Sequence, residues 1–308
     1  MPQNETYLTV TGEIRYNMTN DYMFRAILQE NEKVLRGLVS SLLHMRPEDI
    51  KTITVENPIT LGDAMDRKTI VFDVKLILNT NVLINLEMQL LNEHNWPERS
   101  LFYLCRAFTK LLKGEDYSKL QPVFHIGFLD FTLFPDHPEF YAIYKLLNTK
   151  DYHLYSDKLT LGVVNLNRTD LATDEDKTFG IDNWVKIFKA KTWEELRMFS
   201  ENNEYVEEMV RSLFKFNSDE QVREQCEEIE IELAARKARY RDQDEAVAKL
   251  KAELAEALAE KAAFLAQKDA SLAEKDAELA EKDNELAEKD NELARLKALL
   301  KEHNIEIP

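Results

Sequence analysis

At 308 residues the chain has room for one generous domain with an extension, or for two small domains. With 44% hydrophobic residues but only 7 glycines and 8 prolines it favours regular structure over loops, and no apolar run approaches the roughly 18 residues of a membrane span. A net charge of −17 argues against a monomer that holds polyanions tightly and without preference; about −10 of it follows Asn217, leaving roughly −7 before it.

Residues 1–18 read as an irregular lead-in, and MPQNETYLTV lacks the basic-then-apolar order of an export signal. Cys105 and Cys226 stand far apart at no ligand spacing, so a reducing, cytoplasmic setting is expected, with no membrane contact. Asn20 or Asp21 can cap a helix whose apolar residues run from Phe24 through Ile27, Leu28, Val34, Leu35 and Leu38 to Leu43, with a break near Glu30-Asn31-Glu32. Pro47-Glu48-Asp49 ends it. Thr52 to Glu56 then reads as a strand with Ile53 and Val55 turned inward, stopped by Pro58.

The stretch from Arg67 to Leu91 alternates with period two. Phe72, Val74, Leu76 and Leu78 share one face, and Val82, Ile84, Leu86, Met88 and Leu90 continue it after Asn79-Thr80-Asn81. This pattern predicts a hairpin with one face on a core. If Thr80 is the centre of the turn, Asp73 lies directly opposite Glu87, with Cβ atoms about 4.5–5.5 Å apart. Two carboxylates that close repel unless a cation sits between them, and their oxygens suit Mg²⁺. A polar face wetted by solvent is the other reading of the same alternation.

Trp96 to Lys113 reads as a helix, with Pro97 in its first turn and Gly114 just past its end. Arg99 and Tyr103 are four apart and share a face, where they could hold a phosphate and a water or simply pack on each other. Val123 to Phe131 is apolar almost throughout, as in a central strand buried on both sides. Phe140–Leu146, Tyr152–Ser156 and Leu159–Leu166 look like shorter strands. Asp182–Lys191, Thr192–Ser200 and Glu204–Phe216 look like helices, with Trp184, Phe188 and Trp193 packed in a core.

From Asp219 glycine and proline vanish until Pro308, so one long helix is expected. Leu258, Leu265, Leu272, Leu279, Leu286, Leu293 and Leu300 are spaced by seven, the repeat of a left-handed coiled coil. Asp269, Asp276, Asp283 and Asp290 fall on the same seam and oppose pairing. A homodimer or weak homo-oligomer through this coil, and a solitary charged helix, both remain open.

Asp73, a hairpin, and then Glu87-Met88-Gln89 resemble the signature of the PD-(D/E)XK nucleases. Specifically, they resemble the variant with Gln in the Lys place found in the recombination-promoting nuclease (Rpn) and transposase family. Asn20 to Arg25 resembles that family's N-terminal motif. Arg99 to Tyr103, Gly114 to Tyr117 and the strand Val123 to Leu129 resemble its later ones, over roughly residues 15 to 215. The order helix, strand, hairpin, helix, strand, reached from periodicity, is also that family's αβββαβ core. The expected fold is therefore α/β (α+β), a mixed central sheet flanked by helices. The domain would span 19–216, its core at about 20–132 and an extension at 133–216, followed by the long coil at 217–308.

The resemblance implies a Mg²⁺-dependent DNA endonuclease, with Mn²⁺ as a substitute, acting in recombination or transposition. Asp73 and Glu87 would ligate the metal with the Met88 carbonyl. Gln89 would take part in catalysis by orienting water, though unlike Lys it adds no charge. Asp21, Lys75, Arg99 and Tyr103 would hold phosphate or support the ligands. His94 and His125 are alternative bases, but neither has a motif around it and each reads as structural. A nuclease-like scaffold without catalysis, assembled through the coil, is the alternative, favoured by the acidic balance and opposed by the intact pair of carboxylates.

Overall fold

The computed structural model describes residues 6–56, 59–60, 70–71, 74–79, 81–109, 115–201 and 203–302. Two helices open the globular part, α1 (Asp21–Glu30) and α2 (Glu32–Leu42), parted at Asn31 as the sequence predicts. Asn20 caps α1 by accepting from the Tyr22 and Met23 amides, and Asn31 caps α2 by accepting from Val34. Each cap satisfies amides that have no carbonyl partner in a first helical turn. Their apolar stripes, Phe24, Ile27 and Leu28 with Val34, Leu35 and Leu38, are wholly buried.

Strand β1 (Ile53–Glu56) is followed by a separate two-stranded pair, β2 (Ile59–Thr60) with β3 (Ile70–Val71), that periodicity does not reveal. The central hairpin is β4 (Val74–Leu78) and β5 (Val82–Gln89), with Val74 opposite Leu86 and Leu78 opposite Val82, the register the sequence predicts. Helix α3 (Trp96–Phe108) crosses over to β6 (Val123–Leu129), which runs parallel to β5. β7 (Tyr141–Leu147) and β8 (Leu154–Asn165) complete a six-stranded mixed sheet in the order β1-β4-β5-β6-β8-β7. The αβββαβ order is thus present, with the β2–β3 pair inserted.

Two local expectations need correction. β8 is one 12-residue strand where two were predicted; a bulge against β7, with Lys145 opposite Thr160 but Leu146 opposite Ser156, absorbs the residues that resemble a turn. The hairpin, moreover, is covered on both faces. Val74, Leu76, Ile84, Leu86 and Met88 enter the main core, yet Lys75, Asn85, Glu87 and Gln89 opposite them are buried as well. Helix α3 covers that side, packing Leu104 and Ala107 on Leu83 and Val123. The polar face of β5 is an interior surface.

Helices α4 (Asp174–Thr178), α5 (Ile181–Lys189), α6 (Trp193–Ser200) and α7 (Glu204–Ser218) back the main core, where Trp184, Phe188 and Trp193 are buried as expected. Edge-to-face contacts of Phe24, Phe128 and Phe188, with centroids 5.5 to 5.9 Å apart, tie α1, β6 and α5 together.

Helix α8 (Glu220–Glu302) follows α7 after Asp219. The chain divides into two units, Met1–Ala238 and Arg239–Pro308, whereas the sequence places the boundary between 216 and 217. The first turns of α8 belong to the sheet-bearing unit: Cys226 is fully buried there, and its carbonyl accepts from Asn20 Nδ2 at 3.1 Å. In the second unit the leucines spaced by seven from Leu258 to Leu293 are about half exposed, Leu258 at 58% and Leu279 at 59%. Among the described residues no helix is long and apolar enough to cross a membrane.

Candidate active site

Alternation along β5 turns Asn85, Glu87 and Gln89 toward α3. Asn95 and the left-handed His94 (φ 57°) precede that helix, which starts at Trp96 with Pro97 in its first turn, so the missing proline amide costs nothing. Spacing of three to four residues then aims Trp96, Arg99 and Tyr103 at the same strand face. On the parallel neighbour β6, His125 stands beside Asn85 and Gly127 beside Glu87. A Cβ on Gly127 would lie 2.1 Å from Trp96 Cζ2. Only glycine lets the indole rest on the sheet at this point.

Glu87 is 2% exposed. Arg99 reaches its Oε1 with both Nε and a terminal guanidinium nitrogen at 2.7 Å. The other oxygen, Oε2, lies 3.5 Å from His125 Nε2 without hydrogen-bond alignment, and has no hydrogen-bond partner among the described residues. Burial raises the Glu87 pKa above the ordinary carboxylate range; Arg99 opposes this, while Asp21 and Glu93 add to it. Glu87 in turn helps raise Arg99, although burial works against that shift. His125 is enclosed between Trp96 and Tyr103, at ring distances of 5.7 and 6.0 Å, and burial followed by the Arg99 charge lowers its pKa to about 3. It is neutral at pH 7, so its contact with Glu87 is not an ion pair.

Glu87, Arg99 and Tyr103 line a cleft of about 1220 Å³. The start of α1 contributes Asp21 and Arg25, which pair at 3.3 Å, and α3 contributes Arg99, stacked 5.1 Å above the Tyr103 ring. The end of β5 contributes Glu87 and Gln89, and the first turns of α8 form a further wall with Arg236 and Lys237. Arg236 is ion-paired with Glu93. Gln89 donates from Nε2 to the Leu91 carbonyl at 2.8 Å. The Met88 side chain is buried in the main core, so only its backbone can serve the cleft. Lys75 stands apart, paired with Glu56 across β1 and β4.

Of the residues singled out in the sequence, Asp21, Glu87, Met88, Gln89, Arg99 and Tyr103 therefore meet at one cleft, and Lys75 does not join them. Asp73 and Gly114 lie outside the described residues. Among the described residues no group of three or more His, Cys, Asp or Glu side chains is placed to hold a metal ion. Sequence reasoning overlooks Asn85 and Trp96, although period two and helical spacing place each on the right face. It has no signal for Arg236, which is 143 residues from its partner.

A family model described as a PD-(D/E)XK nuclease family transposase matches residues 18–249, from the turn before α1 into α8. No curated protein and no solved structure matches the chain.

Proposed function

The chain belongs to the PD-(D/E)XK nuclease family transposases, and on that premise we propose that it is a Mg²⁺-dependent endonuclease that hydrolyses phosphodiester bonds of DNA in the recombination or transposition of mobile elements. The observation that carries this reading is Glu87: a buried carboxylate at the cleft, with one oxygen held by Arg99 and the other without a hydrogen-bond partner among the described residues. A carboxylate raised by burial gains from a nearby cation, and the hard oxygens of Asp73, Glu87 and the Met88 carbonyl fit Mg²⁺, with Mn²⁺ as a substitute. Bound there, the metal would activate water and offset charge on the scissile phosphate.

The protein's own groups do the rest. Arg99 fixes Glu87 by its Oε1, and Tyr103 supports the guanidinium from below. The Gln89 amide nitrogen is held by Leu91, which leaves its oxygen, an acceptor, as the group that orients an attacking water. Asp21 keeps Arg25 in place at the cleft rim for phosphate.

Supercoiled-plasmid nicking with and without Mg²⁺ tests the assignment. Asp73→Ala and Glu87→Ala should abolish nicking, Gln89→Ala should weaken it less, and Gln89→Lys should keep it. Wild-type nicking by both carboxylate variants would refute the site. A wild-type chain that binds neither metal nor DNA would favour a non-catalytic scaffold, the reading to which the net charge of −17 lends weight.

A further inference from the structure

We propose that Asn85 and His125 form a positioning relay for Glu87. Asn85 holds His125 in the tautomer with its proton on Nε2, so that the imidazole presents a donor to Glu87 Oε2. The proposal rests on reading Glu87 as a working carboxylate, but its first test does not need catalysis.

The geometry begins in the parallel register. Asn85 and His125 are direct neighbours across β5 and β6, and Asn85 Nδ2 lies 2.8 Å from His125 Nδ1. The next same-face pair is Glu87 beside Gly127. Because Gly127 has no side chain, Trp96 settles over the strand and stacks on the imidazole at 29° between planes. Tyr103 closes the other side. The ring is 1% exposed, and its remaining nitrogen, Nε2, lies 3.5 Å from Glu87 Oε2.

A neutral imidazole has one N–H and one lone pair. With the proton on Nε2, Nδ1 accepts from the Asn85 amide and Nε2–H faces the carboxylate oxygen. With the proton on Nδ1, a lone pair would face an ionised Oε2, and Asn85 would have to present its oxygen. Only the first arrangement is favourable at both ends while Glu87 is charged. Both His125 Nε2 and Glu87 Oε2 lack other hydrogen-bond partners among the described residues, so each is the partner the other has at hand. A small shift and turn of the two side chains would form the hydrogen bond, the kind of tightening that catalytic contacts show on loading. Arg99 holding Oε1 and His125 holding one lone pair of Oε2 would then fix the carboxylate plane from both sides and leave the second lone pair of Oε2 for the metal.

The test begins with full-length protein labelled with ¹⁵N in its 6 histidines, observed by two-bond proton–nitrogen correlation, the His125 signals being those lost in His125→Gln. The expected spectrum shows a protonated Nε2 and an accepting Nδ1. Asn85→Asp exchanges the donor for an acceptor of the same shape and should move the proton to Nδ1. Gln can place an amide donor near the site of Nε2, whereas Leu cannot. His125→Leu should therefore lose about 10–100-fold in Mn²⁺ affinity and in nicking rate, and His125→Gln should recover most of it at equal thermal stability. A wild-type His125 carrying its proton on Nδ1 would overturn the relay, as would equal losses in the Gln and Leu variants. A wild type that nicks no DNA but shows the Nε2–H tautomer would sink the nuclease assignment and leave the relay standing.

Discussion

Glu87 and His125 are titratable groups shifted in opposite directions by the same burial. The Glu87 pKa is raised, so its contribution to stability is present below the ordinary carboxylate pKa of 4.5 and is lost as pH rises through the raised value. Glu87→Gln cannot ionise. Its unfolding free energy should gain on wild type progressively above pH 4.5, and a constant difference from pH 4 to 8 would show that Glu87 titrates normally. For His125 the sign reverses. A base with a pKa of about 3 when folded and 6.5 when unfolded contributes stability above pH 6.5 that is lost as pH falls toward 3. The loss is about 1.4 kcal/mol per pH unit. Urea unfolding of His125→Gln should show a flatter acid limb; an unchanged limb would assign the acid sensitivity to other groups.

At the scale of elements, the site depends on how α3 seats on the sheet. Gly127→Ala drives a methyl into the Trp96 ring, at 2.1 Å before relaxation, and the first turn of α3 must lift. The cost should be about 1–3 kcal/mol, as for other overpacked cores. Arg99 sits one turn further along α3, so nicking should fall more than stability does. Unaltered unfolding and nicking would mean that Trp96 has another resting place. Asn20 links α1 to α8 by two separate uses of one amide: its oxygen caps α1 and its nitrogen binds the Cys226 carbonyl. Asn20→Ala should cost about 1–2 kcal/mol from the lost cap alone. It should also speed amide exchange in the first turns of α8, and exchange confined to α1 would separate the two roles.

For the whole molecule the question is how a chain of net charge −17 meets DNA. Arg25, Arg99, Arg236 and Lys237 line the cleft, among acids that include Asp21, Glu98, Glu230 and Glu232. Few phosphate contacts fit there, so affinity should be modest with a shallow salt dependence, about 0.9 of a log unit per phosphate neutralised. Lys237→Ala should lower that slope by about one contact; an undiminished slope would place the DNA away from the α8 wall. The second unit raises its own charge question. Seven leucines favour pairing of α8, and the aspartates at 269, 276, 283 and 290 oppose it by like-charge repulsion, so self-association should be weak and tighten as salt screens that repulsion. Sedimentation of the full chain beside a variant with alanine at Leu272, Leu279 and Leu286 checks this. Equal mass at every salt concentration would make the segment a spacer.

Local chemistry was enough to determine the order of the core elements from α1 to β6, though not the inserted β2–β3 pair or the single strand β8. Caps at Asn20 and Asn31, alternation along β4 and β5, and the proline-started α3 are contacts within a few residues, so they are legible in one pass along the chain. The same periodicity placed Glu87 and Gln89 on one face, and Arg99 and Tyr103 on another. Only the tertiary structure decided that these two faces meet at one cleft. Parallel pairing of β5 with β6 sets Asn85 against His125, 40 residues on, and α8 returns Arg236 to Glu93. Burial, which turns a polar stripe into a pair of shifted, partner-seeking groups, arises from that packing because desolvation depends on everything surrounding a side chain and not on its neighbours in sequence.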